Sequence, residues 1–174
     1  MDKYWLVTWV TYGSWLPGDP RGFRTFRGRE YVPPPARYAL AGERVYDATQ
    51  YAARYRIAQA ATDGAVKLTG EERALAHGAM MAEIDGLPIR PRILGTGTWH
   101  VHLIARFGSS RIRPSVGRLK SSATRAIPNP GSRKRLWAKG CHMGSLDTER
   151  SLEEGIEYVR RHADEGALIH EWPT

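Results

Sequence analysis

The segment Trp99 to Phe107 (WHVHLIARF) constrains the fold more tightly than any other part of the chain. It reads as a β-strand, in which alternate side chains share a face, so Val101, Leu103 and Ala105 turn toward a core while His100 and His102 project together on the other side. Such a strand requires an apolar layer against one face and delivers two imidazoles to one spot on the other. Near the end of the chain Tyr158-Val159-Arg160-Arg161-His162 reads as helix, and residues four apart on a helix are neighbours, so Tyr158 and His162 project together as well. At about 100° per residue, Leu152, Ile156, Val159 and Ala163 form the apolar side of that helix, with Tyr158 and His162 on a flank about a quarter turn away. Docking the helix beside the strand would join three metal-type ligands to one phenol. Gly155, one turn before Tyr158 on the same flank, would leave room for a substrate to approach the phenol.

The rest of the chain supplies elements to hold these two. Tyr4 to Tyr12 (YWLVTWVTY) is rich in aromatic and β-branched residues and reads as a strand ending at Gly13. From Trp15 to Gly22 (WLPGDPRG) prolines and glycines exclude regular structure. Arg21, Arg24, Arg27 and Arg29, interleaved with Trp15, Phe23, Phe26 and Tyr31, suit backbone phosphates and stacked bases, or equally a loop wall with no ligand. Pro33-Pro34-Pro35 extends the chain before a helix from Asp47, as its cap, to Ala61. Thr69 and Glu72 form a capping box for a helix reaching about Asp85, with Leu75, Met80 and Ile84 as its core face and His77 as an ordinary packing or surface histidine. Ile89 to Gly95 pairs with the His-x-His strand through a Gly95-Thr96-Gly97 turn. Pro114 fits the first turn of a helix to about Ile127, Leu136 to Cys141 reads as a further strand, and the last helix begins near Asp147 or Ser151, where Ser151 and Glu154 form a second capping box.

At 174 residues the chain is expected to form one domain over 1–174, with a variable loop-and-helix insertion at about 18–68. The start, Met1-Asp2-Lys3-Tyr4, lacks the pattern of a signal peptide, and no apolar run approaches the ~20 residues of a membrane span. Cytoplasmic, nucleoid-associated placement without membrane contact is the expectation. The single Cys141 cannot form an internal disulfide, and without a C-x-x-C partner Cys141-His142 is a poor structural zinc motif. The net charge of +8 is concentrated: from Gly86 to Leu146 there is no Asp or Glu but there are twelve Lys or Arg, among them Arg111, Arg118, Lys120 and Arg125. An acid-free basic stretch around the His-x-His pair favours a polyanionic partner, and argues against a two-metal nuclease, which needs carboxylates to hold hard cations. With Arg21, those four are the candidate DNA-binding residues.

Taken together, YWLVTWVTYGSWLPGDPRG, WHVHLIARF, LKSSATRAI, LWAKG and IEYVRRH resemble the HUH single-tyrosine transposases, in particular the relatives associated with repetitive extragenic palindromes (REP). The resemblance covers most of the chain, least at 30–68. It implies an α+β, ferredoxin-like domain: an antiparallel sheet backed by helices, with the HUH strand at its centre. By matching position it makes His100 and His102 metal ligands and Tyr158 the nucleophile. His162 stands where relatives often carry glutamine or asparagine, and an imidazole there would tilt preference from Mg²⁺ toward Mn²⁺ or softer ions. The resemblance also implies a single-stranded DNA substrate bearing a hairpin, a divalent cofactor (Mg²⁺ or Mn²⁺), and a homodimer as one arrangement. The expected activity is DNA cleavage and rejoining through a covalent 5′-phosphotyrosine. Two alternatives stay open: a metal-dependent nuclease that uses water, and a nucleic-acid-binding protein without catalysis.

Overall fold

The computed structural model describes residues 3–20, 23–24, 31–32, 47–62, 64–108, 111–128 and 135–173. The chain divides into two compact units, one formed by Met1–Thr11 with Lys67–Thr174 and one by Tyr12–Val66.

The larger unit is built on a five-stranded antiparallel sheet. Its strands are β1 (Tyr4–Val10), β4 (Arg90–Thr96), β5 (His100–Arg106), β6 (His142–Leu146) and β7 (Leu168–Glu171), ordered β6-β1-β5-β4-β7. The histidine-bearing β5 is therefore the central strand, as expected. Its register pairs His102 with Thr8 on one side and with Gly95 on the other. Alternation gives each face its own layer. Val101, Leu103 and Ala105 are fully buried on one face, where the helix α2 (Gly70–Asp85) sits: His77 Nδ1 of α2 lies 2.9 Å from Oγ1 of Thr96, the cross-strand neighbour of Val101. The helix α3 (Ile112–Ala126) packs along α2, with Ser122 Oγ donating to Ala79 O at 3.2 Å. On the other face Ile93 and Ile104 meet Ile156 and Val159 of α4 (Glu149–Arg161) in a buried cluster bordered by Tyr4, Leu6, Leu146, Leu152 and Ile169.

Helix boundaries follow local chemistry. The Thr69–Glu72 box is present: Glu72 N donates to Thr69 Oγ1 at 3.2 Å and Thr69 N to Glu72 Oε2 at 2.9 Å, with Glu71 and Glu72 set favourably against the helix dipole. Met80 and Ile84 are buried as expected, whereas Leu75 is exposed and Ala76 and His77 take the inner positions. The last helix starts at the earlier of the two expected places, just after Asp147, and its capping box is Thr148 with Ser151 instead of Ser151 with Glu154. Both pairs have capping chemistry; Glu154 instead pairs with Arg150 on the exposed side. Leu136–Cys141 contributes only a single bridge, Trp137 to Thr11, and the strand begins at His142. After α4, a 3-10 turn (His162–Glu165) and Gly166, at φ 79°, lead into β7, an edge strand not anticipated from sequence.

In the smaller unit, β2 (Phe23–Arg24) pairs with β3 (Tyr31–Val32), and α1 (Ala48–Ala60) is capped by Asp47, whose Oδ1 accepts from Thr49 N at 2.9 Å. Phe23 and Tyr51 are both buried and meet edge to face at 4.9 Å. Gly18 has φ 86°, and a Cβ there would lie 2.6 Å from Tyr51 O, so no other residue fits without a backbone shift. Arg21, Phe26, Arg27, Arg29 and Pro33–Pro35 lie outside the described residues, as do Arg133 and Lys134.

Candidate metal centre and tyrosine

His100 and His102 project from β5 on the α4 side of the sheet, and His162 closes the group from the C-terminal cap of α4. Their three ligand nitrogens lie within 4.8 Å of one another. The rings are 4.6 to 4.9 Å apart between centroids. Tyr158, one turn before His162, places its ring 5.2 Å from His102 and 4.8 Å from His162. It remains 40% exposed, so the phenol sits at the mouth of the cluster.

Two hydrogen bonds orient the imidazoles. His162 Nδ1 is 2.9 Å from Tyr158 O, and a carbonyl can only accept, so Nδ1 carries the proton and Nε2 keeps the lone pair. His102 Nδ1 is 2.8 Å from Thr8 Oγ1, on the strand registered opposite it. With Nδ1–H donating to that hydroxyl, Nε2 of His102 likewise faces the cluster, as ligating histidines do when their second nitrogen is held by a neighbour. Sequence reading missed Thr8 because its position depends on strand register.

Burial and repulsion between imidazoles favour the neutral forms of His100 and His102. Burial, with His100 and His162 adding to it, pushes His102 down to about 3; burial and His162 lower His100, against the pull of Glu165. Neutral imidazole is the metal-binding form. His100 Nε2 is buried without a hydrogen-bond partner, an atom whose desolvation is offset once it donates its lone pair to a cation. Three clustered imidazoles, one with an orphaned nitrogen, thus fit a divalent ion of borderline character. The Tyr158 phenol is pushed up by burial and by the charge of Glu165, with Arg161 acting the other way.

Two glycines let α4 approach the sheet. A Cβ on Gly95 would fall 2.8 Å from Val159 Cγ1, and one on Gly155 3.2 Å from both Ile104 Cδ1 and Leu146 Cδ1. Gly155 therefore serves helix–sheet contact, not substrate access as its place on the Tyr158 flank suggested. A third, Gly97, lies against the His100 ring, 3.3 Å from its Cε1 to a built Cβ, and its amide donates to His100 O at 2.8 Å.

Four of the basic candidates from sequence, Arg111, Arg118, Lys120 and Arg125, belong to α3 and its cap. Arg118 is paired with Glu83 of α2 at 2.6 Å, so it belongs to the helix layer on the opposite face. Lys120 is half-buried, and its ammonium donates to Ala138 O at 2.8 Å and to Gly140 O, with burial lowering its pKa. Arg111 is the N-cap residue of α3 and Arg125 lies in its last turn, both exposed.

No protein-family model matches the chain, and no curated protein matches it. A solved structure does: that of a REP-associated tyrosine transposase bound to a REP hairpin, at a TM-score of 0.53 over 95% of this chain and 69% of that one. This chain has the fold of a REP-associated tyrosine transposase. Sequence identity over the match is 11%, so what the two share on this comparison is the arrangement of sheet and helices.

Proposed function

We propose that the chain cleaves and rejoins single-stranded DNA near a hairpin, with Tyr158 as nucleophile and His100, His102 and His162 as ligands of a divalent ion, Mg²⁺ or Mn²⁺. The observation that carries this reading is the contact of the Tyr158 ring with two of three clustered histidines. The shared fold of a transposase bound to a DNA hairpin supports the substrate class.

The chemistry follows from the environment of the phenol. Tyrosine ionises near pH 10, and burial with Glu165 nearby raises Tyr158 further, so it is a poor nucleophile without added positive charge. A divalent ion on the three imidazoles would supply that charge, stabilising phenolate and drawing charge off the phosphate oxygens. Tyr158 gives up its proton, its oxygen bonds to phosphorus, the bond from phosphorus to the 3′ oxygen breaks, and that oxygen leaves as a 3′-OH. The 5′-phosphotyrosine conserves the phosphodiester's energy, and attack by a second 3′-OH reverses the step and rejoins strands. Arg111, Arg125 and Arg21 are proposed to hold DNA backbone; Arg118 and Lys120 would first have to exchange their partners. The proposed catalytic domain spans 1–174, with a variable insertion at about 18–68. No described helix is long and apolar enough to cross a membrane. Cytoplasmic action at the nucleoid is the corresponding proposal.

The test is an oligonucleotide with a hairpin and a single-stranded flank, incubated with the protein and Mn²⁺. The expected product is a covalent protein–DNA adduct, absent with Tyr158→Phe. Cleavage that persists in Tyr158→Phe would make water the nucleophile, and salt-sensitive binding with no cleavage would leave a non-catalytic binder.

A further inference from the structure

The histidines use one end of β5; the other end of the same face carries arginines that the proposed reaction does not use. Arg106 closes β5, and its direct cross-strand neighbours are Tyr4 and Arg90. Directly opposed residues of an antiparallel pair project to the same face, so two arginines occupy neighbouring positions there, an arrangement that destabilises a sheet when nothing neutralises it. A third arginine is added by an irregularity. The register of β4 against β5 shifts between Pro91 and Ile93, which makes Arg92 the inserted residue, and bulges re-aim side chains.

This group is held in place but not neutralised. The Arg106 guanidinium lies over the Tyr4 ring, 4.3 Å from its centroid, which fixes its plane and leaves its edge to donate. Arg106 Nε and Arg92 Nε and Nη1 are buried with no hydrogen-bond partner. The ion pairs among the described residues include none of the three arginines. Glu171 acts on Arg92 electrostatically, but its two oxygens each accept from Arg160 at 2.7 Å. Planar forked donors of this kind match the oxygens of a phosphate.

The geometry points to an anion site at Arg90, Arg92 and Arg106 that takes a backbone phosphate of a nucleic acid, away from the phosphate at the histidines. His102 and Arg106 are four residues apart on β5, about 13 Å along the strand. Ile104 between them lies under Gly155 of α4, so the helix covers the face between the two ends. The phosphate at the arginines is therefore a second one, set apart along the strand from the phosphate at the histidines. The nature of the ligand rests on the nucleic-acid reading above; the anion site itself rests on the arginines.

Inorganic phosphate and a hairpin-bearing single-stranded oligonucleotide are the two probes, used on the full chain, on Arg106→Gln and on the exposed Arg90→Gln, which is the safer variant for folding. At fixed ionic strength, phosphate in place of chloride should raise the wild-type melting temperature saturably, and the rise should shrink in both variants. In the plot of log Kd for the oligonucleotide against log salt, each substitution should lower the slope by about 0.7–0.9. No phosphate effect together with unchanged slopes would overturn the site. A phosphate effect with unchanged slopes would overturn nucleic acid as its ligand. Adduct formation at Tyr158 is scored separately: a wild-type protein that forms no adduct but shows both effects would sink the proposed chemistry and keep this site.

Discussion

His162 Nδ1 lies 2.9 Å from the main-chain oxygen of Tyr158, so the residue that carries the phenol also determines which nitrogen His162 turns toward the cluster. Both sit on α4, which is joined to the sheet before and after: β6 precedes it, β7 follows it, and Arg160 is tied to Glu171 of β7 through two hydrogen bonds.

It follows that one chain holds all four groups. Mixing Tyr158→Phe with His100→Ala should therefore leave adduct formation at the background of either variant, more than about 10³-fold below wild type. Recovery of adduct in the mixture, read on a denaturing gel, would mean that α4 is exchanged between chains.

Thr8 holds the far nitrogen of His102. Thr8→Val keeps the shape of the side chain and removes the hydroxyl, and loss of such an outer hydrogen bond should weaken Mn²⁺ affinity about 10- to 100-fold. Calorimetric titration with Mn²⁺ measures this, and a melting temperature close to wild type separates it from unfolding. Unchanged affinity would mean that His102 is oriented by packing alone.

Gly95→Ala tests how α4 is seated. The new methyl would meet Val159 Cγ1 at 2.8 Å and Ile169 Cδ1 at 3.2 Å, and overpacking of this kind costs about 1–3 kcal/mol. Because the displaced helix carries Tyr158 and His162, adduct yield should fall further than the loss of folded protein explains. Denaturant unfolding and single-turnover cleavage on the same samples give the comparison; a stability loss with unimpaired cleavage would refute the positioning role.

His77 predicts an acid limit to stability. Burial, aided by His170, pushes it down to about 4 from an ordinary 6.5, so the unfolded chain takes up the proton first as pH falls. The contribution is complete above about pH 6.5 and is lost on descending toward pH 4, up to about 3 kcal/mol. His100 and His102 shift in the same sense, so the His77 share is the difference between wild type and His77→Asn in denaturant unfolding at pH 7 and pH 4.5. Parallel pH curves for the two proteins would contradict it.

Much of this arrangement was legible in the sequence where a local rule suffices. The alternation in WHVHLIARF gave the facing of β5, the spacing of Tyr158 and His162 gave their shared flank, and Thr69 with Glu72 marked the start of α2. What escaped depends on partners distant in sequence. Thr8 matters only because β1 registers it opposite His102. His142–Leu146, with a glycine in its middle, and Leu168–Glu171 are short edge strands made by their neighbours rather than by their own propensity. Three cap-forming side chains lie close together at Thr148, Ser151 and Glu154, and choosing among them requires knowing where β6 ends. Arg118 and Lys120 read as free cations in a stretch without acids, but Glu83 and two carbonyls reach them from elsewhere in the chain.

The single turn of helix between Tyr158 and His162 has a further consequence. Any motion that lifts α4 takes away the phenol and one of the three imidazoles in the same stroke, so the proposed nucleophile could not be lost while a cation stayed fully gripped. Under the proposed chemistry such an interlock would guard against stray hydrolysis: with the helix out of place, a bound strand would meet a weakened ion instead of an armed one left open to water.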